Sequence, residues 1–102
     1  MIMNERVYMA GKITGDPDYK KKFAGWAERL QRFGFKAENI VNPAELCSEK
    51  WSWLRCMIHD LRLLAGCGVV AMLPDWRESR GARIEHFAAW LLVKETIYLP
   101  NL

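Results

Sequence analysis

The chain has 102 residues, 15 Lys+Arg against 12 Asp+Glu, a net charge of +3, and 51% hydrophobic and 12% aromatic residues. That length accommodates a single domain, residues 1–102, since domains cluster near ~100–150 residues, and so apolar a composition excludes a disordered chain. The net charge, with acidic residues interleaved among basic ones, is too small to read by itself as a nucleic-acid footprint, and no nucleic-acid polymer is expected as partner.

Met1-Ile-Met-Asn-Glu5 lacks the basic and apolar regions of a signal peptide, so a cytoplasmic protein is expected. Arg6 to Ala10 reads as a short strand stopping at Gly11, followed by a loop through Asp18. A helix is expected from about Asp18 to Arg32, because Phe23, Trp26, Ala27, Leu30 and Phe33 recur at helical spacing. Gly34 ends it at the C′ position. Phe35 to Val41 reads as a second strand, closed by Asn42-Pro43 because the residue before proline disfavours helix. The next helical region begins over Ser48 to Trp53, carries Leu54, Met57, Ile58, Leu61 and Leu64, and ends at Ala65-Gly66. Cys67 to Leu73 is unbroken apolar sequence, the signature of a strand buried on both faces. Even the longer run Leu63 to Leu73, with its two glycines, falls short of the ~20 residues a membrane span needs, and no membrane partner is expected. Pro74 to Gly81 is a loop, a helix runs from about Ser79 to Val93, and Glu95 to Leu99 is the last strand. This alternation predicts an α/β fold, a small Rossmann-like parallel sheet of about four strands with helices on both faces and right-handed crossovers.

In such a sheet ligands bind outside the carboxyl ends of the strands, near the point where strand order reverses. Function is therefore sought in Gly11 to Asp18, Asn42 to Ser48 and Pro74 to Gly81. Downstream of the last of these, Glu85 has Gly81, Ala82, Ala88 and Ala89 as its helical neighbours, so no long side chain of its own helix shields it. Either Glu85 is a poorly solvated carboxylate with room for a ligand beside it, or it is a solvent-facing helix residue. Ile84, Phe87, Ala88 and Leu91 form an apolar face suited to packing on the sheet. Ser79 at the start of that helix fits an N-cap and a phosphate ligand alike, because the helix N-terminus welcomes an anion. Gly81 would let a phosphate approach the backbone, and Arg77, Arg80 and Arg83 add positive charge. Asp60, embedded among Met57, Ile58, Leu61 and Leu64, is either a satisfied structural residue or a site residue facing the cleft. Tyr8 is either a core tyrosine or a hydroxyl placed to bind a carboxylate. Of five tryptophans, Trp76 is placed to stack on a base, while Trp26 and Trp90 are expected to pack. Cys47, Cys56 and Cys67, at spacings of nine and eleven without a CxxC pair, read as reduced thiols, two of them buried, rather than as metal ligands with His59 or His86.

Five segments then stand in register: Tyr8-Met-Ala-Gly-Lys-Ile-Thr-Gly15, Asn42-Pro-Ala-Glu-Leu46, Asp60-Leu61, Leu73-Pro-Asp-Trp76 and Ser79-Arg-Gly-Ala-Arg-Ile-Glu85. Together they resemble the small nucleoside 2-deoxyribosyltransferase-like proteins, including an uncharacterised branch frequent in phages and bacterial genomes. The resemblance extends over residues 6–99. It implies cleavage of the N-glycosidic bond of a nucleoside or nucleotide through a covalent glycosyl-enzyme, without metal or redox cofactor. Under it Glu85 matches the nucleophile, Tyr8 the tyrosine that orients it, and Asp60 the aspartate that helps protonate the departing base. Ser79 and Gly81 match positions that bind the 5′-phosphate in the nucleotide-hydrolase branch, with Arg80 and Trp76 beside them, and Gly11 matches the first-strand loop beneath the substrate. Assembly as a homodimer or higher homo-oligomer is implied too, since the resembled families complete their sites across subunits. The chain departs from their pattern at Gly68, usually aspartate, at Asp75, often glycine, and at Val93-Lys94, usually Leu-Gly.

Overall fold

The computed structural model describes residues 4–100. In chain order these form β1 (Val7–Ala10), α1 (Tyr19–Phe33), β2 (Ile40–Val41), α2 (Pro43–Leu46), α3 (Trp53–Ala65), β3 (Val69–Met72), α4 (Arg80–Leu91) and β4 (Glu95–Tyr98). The four strands make one all-parallel sheet in the order β2-β1-β3-β4, the expected small Rossmann-like α/β arrangement. The chain steps from β1 out to β2 and then returns past β1 to β3, so the strand order reverses between β1 and β3.

Alternation along β1 divides the interior into two. Val7 and Met9 join Phe23, Trp26 and Leu30 of α1 on one face of the sheet. Tyr8 and Ala10 join Leu64 of α3 and Ala89 of α4 on the other. β1 and β3 are buried along their whole length, as central strands covered by helices on both sides must be.

The structure corrects several boundaries. β2 is confined to Ile40–Val41, because Ala37–Asn39 form a 3-10 turn. Pro43–Leu46 make a short helix, with Pro43 in its first turn and Asn42 Oδ1 accepting from the Ala44 N–H at 3.0 Å. α3 starts only at Trp53, where Ser52 Oγ accepts from the Arg55 N–H at 3.2 Å and caps the helix. Ahead of that cap, Cys47 and Cys56 are joined in a disulfide with their Cα atoms 5.9 Å apart. Three reduced thiols were expected; Cys67 alone is free, and it is buried.

The largest correction concerns α4. Its sheet-facing residues are Ala82, Glu85 and Ala89, whereas Ile84, Phe87 and Leu91 are 38%, 58% and 61% exposed. Small side chains let the helix lie close to its neighbours: a Cβ on Gly81 would stand 3.0 Å from Met57 Sδ of α3. Close approach on that side turns the bulky stripe outward, opposite to its expected packing. Trp26 packs as expected, but Trp90 is 70% exposed. No helix among the described residues is long and apolar enough to cross a membrane.

Candidate active site

The three loops singled out from sequence meet at the carboxyl ends of the strands and line a cavity of about 260 Å³. Gly11, Ile13 and Thr14 follow β1, Pro43 and Ala44 follow β2, and Ser79, Gly81 and Glu85 belong to the α4 end, with Met57 and Asp60 of α3 opposite. Gly11 meets a steric demand here, because a Cβ at that position would fall 2.8 Å from Leu73 Cβ. Beside the cavity, Lys22 Nζ of α1 lies 2.5 Å from both Asp16 Oδ2 and Asp75 Oδ2 and donates to the Lys12 carbonyl at 2.7 Å. The Lys12 N–H in turn donates to Asp75 Oδ1 at 3.1 Å. Asp75 therefore ties the loop after β3 to the loop after β1 and to α1. Burial opposes the charge on Lys22, but its two carboxylate partners outweigh that and raise its pKa.

At the bottom of the site the Tyr8 hydroxyl, fully buried on β1, donates to Glu85 Oε2. This contact exists because Tyr8 falls on the α3–α4 face of β1 and because α4 presents its small-residue stripe to the sheet. Burial, and secondarily the nearby Glu85 charge, raises the Tyr8 pKa well above its ordinary value, so the phenol keeps its proton and remains a donor. Glu85 is 5% exposed. Burial pushes its pKa up to about 8, the Tyr8 hydrogen bond opposing and the Asp60 charge reinforcing the rise. Asp60 is 6% exposed and its pKa is pushed up to about 6, again by burial, with His59 opposing. Asp60 Oδ1 is buried and meets no hydrogen-bond donor among the described residues; His59 Nδ1 stands 3.7 Å away. An acceptor held this way is suited to a donor supplied by a ligand.

At the other end of the cavity Ser79 caps α4, its Oγ accepting from the Ala82 N–H at 3.1 Å. Ser79 and Gly81 both line the cavity, so the unsatisfied N–H groups of the first turn open onto it. The structure thus brings Glu85, Asp60, Gly11, Ser79 and Gly81 to one cavity, with Tyr8 directly behind Glu85. It does not bring Trp76 there. That ring stacks on His86 with centroids 4.2 Å apart, while His86 Nε2 lies 2.7 Å from the Tyr98 hydroxyl. Nor does Arg80 line the cavity: its guanidinium lies 4.0 Å over the ring of Trp53, which does. Trp51 and Trp53 are the largest of the lining residues that sequence reasoning missed, beside Tyr19, Glu49, Cys56, Met57 and Ala82. Their signal was two tryptophans flanking the N-cap Ser52, immediately after one of the three ligand loops. No group of three His, Cys, Asp or Glu side chains among the described residues is arranged to hold a metal ion.

No curated protein and no solved structure matches the chain. A family model does match, over residues 5–98, so it takes in every strand, both buried carboxyl groups and the whole of the cavity lining. The chain belongs to that family, described as a domain of unknown function (DUF4406).

Proposed function

We propose that the protein is an N-glycosidase acting on nucleoside 5′-monophosphates. The observation that carries this reading is the buried Glu85, oriented by the Tyr8 hydroxyl and sharing its cavity with Asp60, whose Oδ1 meets no hydrogen-bond donor among the described residues, and with the Ser79 end of α4. Glu85 carboxylate attacks C1′; the C1′–N bond breaks, its electron pair leaves with the base, and the base takes the Asp60 proton. Water, deprotonated by the Asp60 carboxylate, then attacks C1′ of the glycosyl ester and returns Glu85 as carboxylate. Between pH about 6 and about 8 the two acids hold roughly one proton between them. The productive arrangement places that proton on Asp60. Positive charge developing at the sugar favours the anionic form of Glu85, and the Tyr8 O–H bond favours it as well. The 5′-phosphate is assigned to Ser79, Gly81 and the first turn of α4.

The resemblance to nucleoside 2-deoxyribosyltransferase-like proteins supports the same roles. Its departure at Gly68 lies away from the chemistry: the Gly68 N–H donates to the Arg6 carbonyl and its own carbonyl accepts from Glu95, at the amino end of β3. A side chain there would run into the Glu5 carboxylate. Partnership with a second copy of the chain is part of the proposal, because Ile84, Phe87 and Leu91 leave an apolar helix face uncovered. Light scattering that shows a monomer at assay concentrations removes that part.

The test is chromatography of free base released from a panel of ribo- and deoxyribonucleoside 5′-monophosphates, with Glu85→Ala in parallel. Release by the unmodified chain that is abolished in Glu85→Ala is expected. A new nucleotide formed when a second base is added identifies transfer instead of hydrolysis. No release from any nucleotide at high enzyme and long times leaves a nucleotide-binding protein and removes the catalytic reading.

A further inference from the structure

One wall of the cavity is formed by the segment from Cys47 to Cys56, through Ser48, Glu49, Trp51 and Trp53. The backbone bonds of this segment stay local: Cys47 N–H donates to Pro43, Trp51 to Ser48 and Cys56 to Ser52. Its link to α1 is Glu49, with Lys20 Nζ at 2.9 Å and the Tyr19 hydroxyl at 3.2 Å. Such exposed contacts hold a chain only weakly in water. The strong tie is the disulfide joining its two ends. Each indole is braced by a guanidinium, Arg55 lying 4.3 Å from the Trp51 ring centroid and Arg80 4.0 Å from that of Trp53. His59 meets Trp51 edge-on, with centroids 5.3 Å apart. Two braced indoles at the edge of a cavity are flat, rigid surfaces that lose little freedom on meeting another ring.

We propose that this segment is the subsite for a planar aromatic ring of the ligand, with Trp51 and Trp53 as its stacking surfaces and the Cys47–Cys56 disulfide as the tie that fastens the stretch carrying Trp51 to α3. That the ring is a nucleobase rests on the nucleotide reading above. Stacking tolerates every base, since each has a π-face, so the subsite takes purines and pyrimidines alike. Both bonded cysteines are half-buried rather than enclosed, which leaves the bond open to a small dithiol. In that exchange two electrons and two protons pass from the dithiol to the Cys47–Cys56 bond, giving two protein thiols and a disulfide in the reductant. The stretch carrying Trp51 then loses its tie to α3, and the ring loses that surface while Trp53, in the first turn of α3, keeps its place.

Calorimetric titration in a Glu85→Gln background, where binding is read without turnover, compares a panel of mononucleotides with ribose 5-phosphate, which lacks the ring. Trp51→Ala and Trp53→Ala are expected to weaken mononucleotide binding ~5- to 150-fold, the range of a lost base–aromatic stack, and to leave ribose 5-phosphate unchanged. Dithiothreitol-reduced protein and the Cys47→Ser/Cys56→Ser double variant are expected to follow Trp51→Ala, with unaltered circular dichroism showing that both remain folded. Equal weakening of both ligands, no weakening, absence of any mononucleotide binding, or an affinity that ignores reduction overturns the proposal. Ring-dependent binding without base release in the unmodified chain keeps the subsite and sinks the glycosidase reading. Base release with unaffected tryptophan variants does the reverse.

Discussion

The two faces of the sheet are built to different rules although they share the same strands. On the α1 face, Val7, Met9, Val69 and Ala71 meet Phe23, Trp26 and Leu30, a wholly apolar interior. On the α3–α4 face the same strands present Tyr8, Ala10, Val70 and Met72 to helices whose buried stripes include Asp60 and Glu85. The first face has nothing to satisfy but area and volume. The second carries two buried carboxyl groups that burial itself keeps from ionising freely, and both line the cavity. One face stabilises the domain, and the other spends part of that stability on preorganised polar groups.

The sharpest way to break this contrast is to substitute on each side and read stability. Phe23→Ala, on the apolar face, removes a side chain that is 0% exposed and is expected to cost about 3–5 kcal/mol in urea denaturation. Glu85→Gln is expected to do the opposite under alkaline conditions. The folded-state pKa of Glu85 is pushed up to about 8, above that of an unfolded carboxyl, so the folded chain holds its proton more tightly. Stability is therefore lost as pH rises from the ordinary carboxylate range through about 8. A glutamine cannot ionise, yet it still offers an oxygen to the Tyr8 hydroxyl. Melting at pH about 9 should show Glu85→Gln more stable than the parent by a few kcal/mol, and melting at pH about 4 should show the two nearly equal. A variant equally stable to its parent at both would mean that Glu85 is not buried against desolvation.

The difference between the faces also explains what could be read before folding. Glu85 stood out because Gly81, Ala82, Ala88 and Ala89 surround it, and the same small residues let α4 press onto the sheet. The rotation of α4 was not legible, because the stripe through Ile84, Phe87 and Leu91 competes with the stripe through Ala82, Glu85 and Ala89. Hydrophobicity favours burying the first. The second is buried because Tyr8, far away in sequence, supplies the donor and Met57 of α3 packs closely over Gly81. Trp76 was legible as a loop tryptophan but not as a partner of His86, whose position depends on where α4 lies against β4. The disulfide was hidden because three cysteines without a CxxC pair, in a chain expected to be cytoplasmic, read as free thiols; with Ser52 starting α3, the chain before it folds back and brings Cys47 to Cys56.

The smallest effect separates the two faces at their helix ends. α1 and α4 stop in the same way, with a residue in the left-handed region and the next N–H reaching back to the last turn. In α1, Gly34 has φ 118° while its N–H donates to Gln31 and that of Phe35 to Leu30. In α4, Val93 has φ 57° while its N–H donates to Trp90 and that of Lys94 to Ala89. Glycine enters this conformation freely, but a β-branched side chain crowds the backbone there. Val93 is 89% exposed, so replacing it removes backbone crowding and almost no packing. Against that stands the greater freedom a glycine has in the unfolded chain. The balance favours Val93→Gly by about 1 kcal/mol, a rise of roughly 4–8 °C in Tm for a domain of this size. Gly34→Val, the mirror substitution on the apolar face, should lower it by at least as much, since it adds the crowding without relieving any.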